Sequence, residues 1–415
     1  MSLPIPLPRS SCRICPGTLE TVLDLGLLYV SAFPLPEEAD GLAAPIDLCR
    51  CDRCGLVQLR HTVPGQYLYC TYWYRSGVNE VMRAELLDIV RQAAAWVDLQ
   101  PGETVVDIGA NDGTLLAQYA EIGIRPFRVA YEPAENLQPL LRAHTDAIAP
   151  TCFPAPGILS PAVAKIVTSI ACYYDTEDPV RFAQAVAEIL HPDGVWIIQA
   201  QDLQQMLDQG AWDNLCHEHL WQPCLAAVGR IVRQAGLGII AAQRRAINGG
   251  SLRILVQHQA KLKGRTLAHG TTLDFLEGAE AECESTRSLA AFAHRVQTNR
   301  RKIWQVLEEE QEKGQIIDLY AASTKANTLL QACGLGREMI RQAWERSPEK
   351  WGRVTVGTRI PLVSEEAGRR DPPDVLFVGA WQFAQSFRVR EAAFLQAGGR
   401  MIVPLPKVER ITWTP

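Results

Sequence analysis

The sequence has little of what marks nucleic-acid-binding, membrane or secreted proteins. Its formal net charge is -5, without a basic block, which gives a weak argument against nucleic acid as the main partner. No apolar run approaches the ~20 residues that a helix needs to span a bilayer. The N-terminal residues lack the basic and apolar parts of a signal peptide. We therefore expect a cytoplasmic protein with no membrane partner.

Cysteine is also scarce, since twelve cysteines in 415 residues are too few for a disulfide scaffold. Their clustering near the N-terminus indicates metal ligation in a reducing compartment. Two C-x-x-C pairs, Cys12 with Cys15 and Cys51 with Cys54, predict one structural zinc ion held by four thiolates with no open coordination position. Cys49 is a competing ligand, and free surface thiols are the alternative. The residues between the pairs predict irregular loop and short strands.

The dinucleotide fingerprint G-x-G-x-x-G is absent, and a different glycine loop takes its place. An apolar run ends at Asp107 and continues as D-x-G-x-x-x-G into a helix, as in the first unit of a doubly wound α/β domain. Glu132 directly follows the next predicted strand, at a position from which an acid would bind ribose hydroxyls. A nucleoside without phosphates fits this pattern, and S-adenosylmethionine is the candidate; a cofactor-free glycine turn is the alternative. The predicted cofactor-binding residues are Asp107, Gly109, Asn111, Asp112, Gly113, Glu132, Ser169 and Tyr173.

Strand and helix patterns alternate along most of the chain. Its length predicts two or three domains. The alternation predicts a doubly wound α/β domain, followed by a second α/β unit that begins near residue 314. The predicted elements are helices at 80–97, 137–143, 179–190 and 274–311, a turn at 192–194, and strands at 166–170, 195–198, 252–256, 316–320, 375–378 and 401–403.

Two polar stretches contain the candidate catalytic residues. The first, at 65–80, is rich in tyrosine, which offers a hydroxyl and a ring face for sugar or cofactor contact; a packed interdomain linker is the alternative. The second stretch contains His217, Glu218 and His219. Glu218 and His219 are expected to accept and donate protons near neutral pH, whereas His217 is expected to be structural. A metal site is the other possibility, because in a strand both histidines would share a face, although a third ligand is not evident.

A third stretch, Ser323-Thr324-Lys325, lies where a loop enters a predicted helix. Backbone N–H groups at a helix start, with hydroxyls and a lysine, can cradle an anion. A phosphate of a nucleotide-linked substrate would suit it, and a bare helix cap is the alternative.

Together these motifs resemble the three-domain, S-adenosylmethionine-dependent sugar C-methyltransferases, a family that includes a dTDP-sugar 3-C-methyltransferase of tetronitrose biosynthesis. The resemblance covers essentially the whole chain. It rests on C-x-x-C…C-x-x-C-G-L-V-Q, Y-R-S-G, D-I-G-x-N-D-G-T-L-L, C-H-E-H-L, N-G-G-S, A-S-T-K-x-N-T and the closing P-L-P.

The resemblance implies an α/β fold: a class I methyltransferase domain preceded by a small zinc-binding domain and followed by a second Rossmann-like domain. The implied boundaries are 1–70 for the zinc-binding domain, 71–270 for the methyltransferase domain, 271–310 for a helical linker and 311–415 for the C-terminal substrate domain. The implied partner is a small molecule, a nucleotide-linked keto-sugar, and the implied state is a monomer or homodimer.

The resemblance also implies roles for the candidate catalytic residues. His219 would remove a proton from the carbon next to a ketone, and Glu218 would orient it or hold the sugar. Tyr72 or Tyr74 would contribute a hydroxyl near the sugar, and Cys216 stands where relatives often have a tyrosine. Residues 173–175 replace a stretch that often carries a catalytic histidine, and residues 199–202 also depart from the family pattern. These departures fit a branch acting on another enolisable or nucleophilic natural product.

Other functions compete with carbon methylation. An O- or N-methyltransferase would use the same scaffold. A zinc-containing binding protein with non-catalytic α/β domains would bind no cofactor. A nicotinamide oxidoreductase is disfavoured because the dinucleotide glycine spacing is absent.

Overall fold

The computed structural model describes residue 6 and residues 8–261 and 282–413. Its first sheet is an antiparallel meander in which β1 and β2 are longer than the short strands that the sequence predicted. Alternating apolar residues such as Leu23, Leu25, Ile46 and Leu48 are buried on one face, which is the two-residue period of a strand. The strands are β1 (Leu19–Tyr29), β2 (Ala43–Cys51) and β3 (Val57–Leu59).

The second sheet has seven strands in the order β6-β5-β4-β7-β8-β10-β9. Strands β4 to β8 run parallel, and β10 is antiparallel to both of its neighbours. Numbered within the sheet, this is the order 3-2-1-4-5-7-6, the class I methyltransferase topology that the family resemblance implied. The strands are β4 (Thr104–Ile108), β5 (Phe127–Tyr131), β6 (Ala147–Ala149), β7 (Ala164–Ile170), β8 (Leu190–Gln201), β9 (Leu237–Arg245) and β10 (Ser251–His258).

The helices of this region include α1, whose bounds are those predicted. Asp178 caps α4 by accepting a hydrogen bond from the Arg181 N–H, and Pro179 occupies its first turn. Residues 192–194, where the sequence predicted a turn, instead lie within β8. The register between β8 and β7 shifts at this place. The helices are α1 (Glu80–Val97), α2 (Thr114–Glu121), α3 (Gln138–Leu141), α4 (Pro179–Ile189), α5 (Leu203–Gln209) and α6 (Leu225–Gln234).

The third sheet has the order β13-β12-β11-β14-β15-β16, parallel except for the edge strand β16. It confirms the second Rossmann-like unit. Its strands are β11 (Ile317–Tyr320), β12 (Ala343–Glu345), β13 (Leu362–Ser364), β14 (Val375–Val378), β15 (Arg400–Val403) and β16 (Glu409–Ile411). The helices are α7 (Thr286–Glu312), α8 (Thr324–Cys333), α9 (Glu365–Arg370), α10 (Ala384–Arg390) and α11 (Ala392–Gln396).

Helix α7 begins at Thr286 after the cap residue Ser285, so residues 282–285 of the predicted linker helix form a turn, and residues 274–281 lie outside the described residues. The boundary predicted at 270/271 falls there too, and the domain limits stay a prediction. Within the described ranges, no helix combines the length and apolar character needed to cross a membrane.

The loop at 211–222 is held between the outer two sheets. On one side, the Leu59 N–H donates to the Leu220 carbonyl, and the Gln222 N–H donates to Val57. On the other, Trp381 donates its indole N–H to Asp213 at 2.7 Å. All three parts of the chain therefore position this loop.

Candidate active site and zinc centre

The four predicted zinc ligands lie together at one end of the first sheet. All four Sγ atoms are within 4.8 Å of one another, with Cys12–Cys54 at 3.6 Å and Cys15–Cys51 at 3.5 Å. A tetrahedron with Zn–S bonds of about 2.3 Å has S–S edges of about 3.8 Å, so the thiols fit a zinc ion. The Gln58 amide donates to Cys12 Sγ at 3.1 Å, an outer hydrogen bond of the kind that orients a metal ligand.

Cys49 lies outside this cluster. Its thiol contacts the Asp47 carboxylate at 3.4 Å, and burial, followed by that carboxylate, raises its pKa to about 12. A thiol that resists deprotonation beside an anion is a poor metal ligand. The geometry therefore favours the two C-x-x-C pairs.

The glycine loop connects β4 to α2 at the carboxyl end of the sheet. Gly109 has φ +71°, and a Cβ there would lie 2.9 Å from the Cys172 Cβ, so glycine is needed for both conformation and space. Gly113 has φ +81° and precedes α2. The Asn111 N–H donates to Glu132 at 2.7 Å, which fixes the loop against the end of β5. Asp112 caps its own turn by accepting from the Thr114 hydroxyl and N–H.

Two acids at this loop have the chemistry that a sulfonium nucleoside requires. The Glu132 carboxylate accepts one backbone N–H on each oxygen, from Asn111 and Ala134, which leaves lone pairs for a ribose diol. Burial raises the pKa of Asp107 to about 7, and no cation is among the groups that affect it. A ligand ammonium group would offset that burial. The residues therefore fit S-adenosylmethionine.

Ser169 and Tyr173 lie elsewhere than the glycine loop. The Ser169 hydroxyl accepts a hydrogen bond from the Trp196 indole at 2.8 Å, inside the core. The Tyr173 hydroxyl donates to the Pro179 carbonyl, and its ring packs against Phe182 and Trp196. Their cofactor-binding role stays a prediction, and the structure does not bring their side chains to Glu132.

Residues 72–77 bridge the glycine loop and the second polar stretch. The Asn111 amide donates to the Tyr74 carbonyl, and the Gly77 N–H donates to Asp112 at 2.9 Å. At the other end, the Tyr72 hydroxyl donates to Glu218 at 3.1 Å. Tyr74 itself is 44% exposed, whereas Tyr72 is half-buried, so only the Tyr72 hydroxyl reaches the catalytic candidates.

Cys216, Glu218 and His219 form one cluster, with their Sγ, carboxylate and ring nitrogen atoms within 4.8 Å of one another. They lie on a loop and not on a strand, so the alternative of a metal held by His217 and His219 from one strand face does not apply. Burial raises the pKa of Glu218 to about 7, partly opposed by the Tyr72 hydroxyl. Burial also raises the pKa of the Cys216 thiol well above its usual range.

His219 is a neutral imidazole with one nitrogen available. Its Nδ1 lies 2.6 Å from the Asn214 carbonyl oxygen, which can only accept, so Nδ1 carries the proton and Nε2 keeps its lone pair. Its ring packs edge-on against Tyr174, with centroids 4.7 Å apart. Burial, together with a smaller contribution from the Lys325 cation, lowers its pKa to about 4, although the hydrogen bond to Asn214 opposes this shift. His219 can therefore accept a proton at neutral pH.

His217 occupies a structural position, as expected. Its Nε2 lies 2.9 Å from the Ala44 carbonyl of β2, and the side chain is buried. Burial lowers its pKa to about 4, which keeps it neutral. The contact joins the site loop to the zinc-binding domain.

Several polar residues of the site were not among the predicted site residues. Asp175 has a buried Oδ1 without a partner, and burial together with Glu218 raises its pKa well above the usual range. The Tyr69 hydroxyl is also buried and unpartnered, in the fields of Asp175 and Glu218. Their positions in the sequence could have identified them, because Tyr69 lies in the tyrosine-rich stretch and Asp175 lies in the loop after β7.

The Ser323-Thr324-Lys325 stretch is a helix cap. The Ser323 hydroxyl accepts from the Ala326 N–H at 3.1 Å at the start of α8. The Lys325 ammonium turns away from the helix end and donates to the Asn248 carbonyl at 2.9 Å. The arrangement favours the cap over a phosphate cradle.

Comparisons with known proteins agree with this architecture. Three family models match in succession: "Putative zinc binding domain" at residues 12–69, "Methyltransferase domain" at 78–242 and "C-methyltransferase C-terminal domain" at 246–406. C-methyltransferase NovU of Streptomyces niveus is 26% identical over 413 residues, covering 96% of each protein.

Two solved structures that resemble this chain each cover less than half of it. An S-adenosylmethionine-dependent methyltransferase from Clostridium acetobutylicum has a TM-score of 0.35 and 11% identity, covering 42% of this chain and 92% of that one. Magnesium protoporphyrin IX methyltransferase of Synechocystis has a TM-score of 0.35 and 13% identity, covering 43% and 88%.

The three family models together account for most of the chain, in the order that the fold shows. The chain is therefore an enzyme that uses S-adenosylmethionine, and not a zinc-containing binding protein with non-catalytic α/β domains. Four clustered thiols within the matched zinc-binding domain supply its metal site. The chain is thus an S-adenosylmethionine-dependent methyltransferase that carries in succession the zinc-binding, methyltransferase and C-methyltransferase C-terminal domains of the three matched family models.

Proposed function

We propose that the enzyme methylates a carbon next to the ketone of a nucleotide-linked sugar or a related enolisable natural product. The observation that carries the proposal is the neutral His219, whose Nδ1–H is held by Asn214 and whose Nε2 is free. We further propose a cytoplasmic enzyme that acts as a monomer or homodimer.

The reaction begins with proton removal by His219. The substrate C–H bond breaks, the proton goes to Nε2, and the electron pair forms an enolate. The imidazolium is stabilised by the Asn214 carbonyl on Nδ1 and by the Glu218 carboxylate. Tyr72 keeps that carboxylate oriented through its hydroxyl.

The carbon–carbon bond forms next. When bound, S-adenosylmethionine supplies a methyl group already activated by its sulfonium, so the protein mainly holds the enolate carbon in line with it. In our proposal Glu132, Asp107 and the backbone around Gly109 hold the nucleoside. The 72–77 segment then covers the glycine loop and brings the acceptor side of the site to it.

The test is His219→Ala, with the exposed His294→Ala as a matched control. Turnover on a panel of dTDP-, UDP- and GDP-linked 4-keto-6-deoxy sugars should fall by about 10²–10⁴-fold, because a general base is lost. Calorimetry should show unchanged S-adenosylmethionine affinity, and NMR of the product should show the new methyl on carbon. Unchanged turnover would remove His219 as the base.

A methyl on oxygen or nitrogen would instead establish the alternative chemistry. The buried pair of proton-handling groups favours carbon, since deprotonation next to a carbonyl needs a positioned base.

A further inference from the structure

The C-terminal domain contributes one half-buried cation, Lys325, next to the loop that carries His219. Lys325 lies in the first turn of α8, and its ammonium donates to the Asn248 carbonyl at 2.9 Å. Within the described ranges, this carbonyl is the hydrogen-bond partner that the ammonium has, and no carboxylate approaches it to ion-pair distance. An ammonium has three N–H donors, so two are free for a ligand.

Helix α8, which carries Lys325, packs against the 212–214 turn that holds His219, and residues of α8 and of the 216–218 loop line one cavity. The Lys325 charge lowers the pKa of His219, and in return Asp213 and Cys216 favour the charged form of Lys325 against burial. Asp213 accepts from Trp381 on Oδ2 and has no partner on Oδ1. The titratable groups around the imidazole are thus Lys325 on the C-terminal side and Cys216, Glu218 and Tyr174 on the other.

Proton removal next to a ketone creates negative charge on the ketone oxygen, which needs a donor held in place beforehand. Two other donors near His219 are engaged, the Tyr72 hydroxyl with Glu218 and the His219 Nδ1–H with Asn214, and the unpartnered Tyr69 hydroxyl carries no positive charge. The α8 N-terminus is capped by Ser323. Only Lys325 combines a positive charge with free N–H groups among these.

We propose that Lys325 donates a hydrogen bond to the enolate oxygen and orients the acceptor ketone toward α8. This role rests on the proposed function. As the C–H bond breaks toward His219, the carbonyl π pair moves onto oxygen and is stabilised by the ammonium. With S-adenosylmethionine bound, the enolate double bond would supply the electron pair of the new C–C bond, the carbonyl would be restored, and the S–CH₃ pair would stay on sulfur to give S-adenosylhomocysteine.

The experiment separates enolisation from methyl transfer. Wild type, Lys325→Met, Lys325→Arg and the exposed control Lys302→Met are saturated with S-adenosylhomocysteine and incubated in D₂O with the same keto-sugar panel. NMR then follows exchange of the hydrogen next to the ketone. Loss of the donor should slow exchange at saturating sugar by about 10²–10³-fold in Lys325→Met, with partial recovery in Lys325→Arg. Cofactor affinity and the Lys302→Met rate should be unchanged.

A second readout is the pH dependence of hydrogen exchange, which tests the effect of the Lys325 charge on His219. Removing the Lys325 cation should raise the pKa of His219, so the pH profile of exchange in Lys325→Met should move upward. If Lys325 were only a structural counter-ion of Asp213, Lys325→Met would leave the exchange rate per folded molecule unchanged. If Lys325 only contacted a phosphate of the substrate, Lys325→Met would raise KM alone. Either result overturns the proposal. If wild type exchanges and methylates carbon in no member of the panel, the proposed function fails, and this role with it.

Discussion

Replacing Tyr72 by phenylalanine should move the pH dependence of catalysis upward. The Tyr72 hydroxyl donates to a Glu218 oxygen at 3.1 Å, and Glu218 is only 7% exposed. A hydrogen bond stabilises the ionised form, so deleting the hydroxyl raises the pKa of Glu218 above its value of about 7. In the proposed mechanism Glu218 must be ionised to stabilise the imidazolium of His219.

The size of the effect follows from the charge of the acceptor. A hydrogen bond to a charged group contributes about 1.5–3 kcal/mol, and one pKa unit corresponds to about 1.4 kcal/mol. The pKa of Glu218 should therefore rise by roughly one to two units, and kcat/KM at pH 7 should fall roughly five- to fifty-fold. Activity should recover above pH 9.

The assay is the kcat/KM profile between about pH 5.5 and pH 9.5, which spans the expected shift. Tyr67→Phe is the matched control, since Tyr67 is 39% exposed and lies at the start of the same stretch. A Tyr72→Phe profile that coincides with wild type, or moves downward, would refute the role assigned to this hydrogen bond.

The remaining predictions concern the metal and the glycine loop. Cys15→Ser should lose zinc and unfold at lower temperature, whereas Cys49→Ser should retain one zinc per chain by elemental analysis; equal zinc contents would contradict the assignment. Gly109→Ala should lose about 1–3 kcal/mol of stability from its positive φ and also lose cofactor affinity through the clash with Cys172. Gly123→Ala has a similar φ with open space, so it should share only the stability loss; equal cofactor affinities would contradict the argument.

The sequence predicts the order of elements well because that order rests on local patterns. The bounds of α1 are set by an apolar face and by Asn79, whose side chain caps the helix. The C-x-x-C spacing identifies the four clustered thiols because each pair chelates from one turn. Glycine in D-x-G-x-x-x-G identifies the cofactor loop because side chains other than glycine adopt that backbone only at an energetic cost.

What escapes the sequence is the direction of single side chains and the contacts between distant segments. Ser169 follows Thr168 on β7, and successive strand residues face opposite sides, so Thr168 reaches Asp107 while Ser169 faces Trp196. The environment of Lys325 depends on Asn248, 77 positions away, and no local pattern encodes that distance.

The loop at 211–222 limits how this enzyme can be recombined with its relatives. One flank of the loop is hydrogen-bonded to the zinc-bearing sheet, and the other to Trp381. A chimera that exchanges only the outer domains would leave Asp213 and His217 facing foreign partners. Acceptor preference should therefore be inherited from matched sets of interface residues, and grafting it will require transplanting both flanks together with the loop.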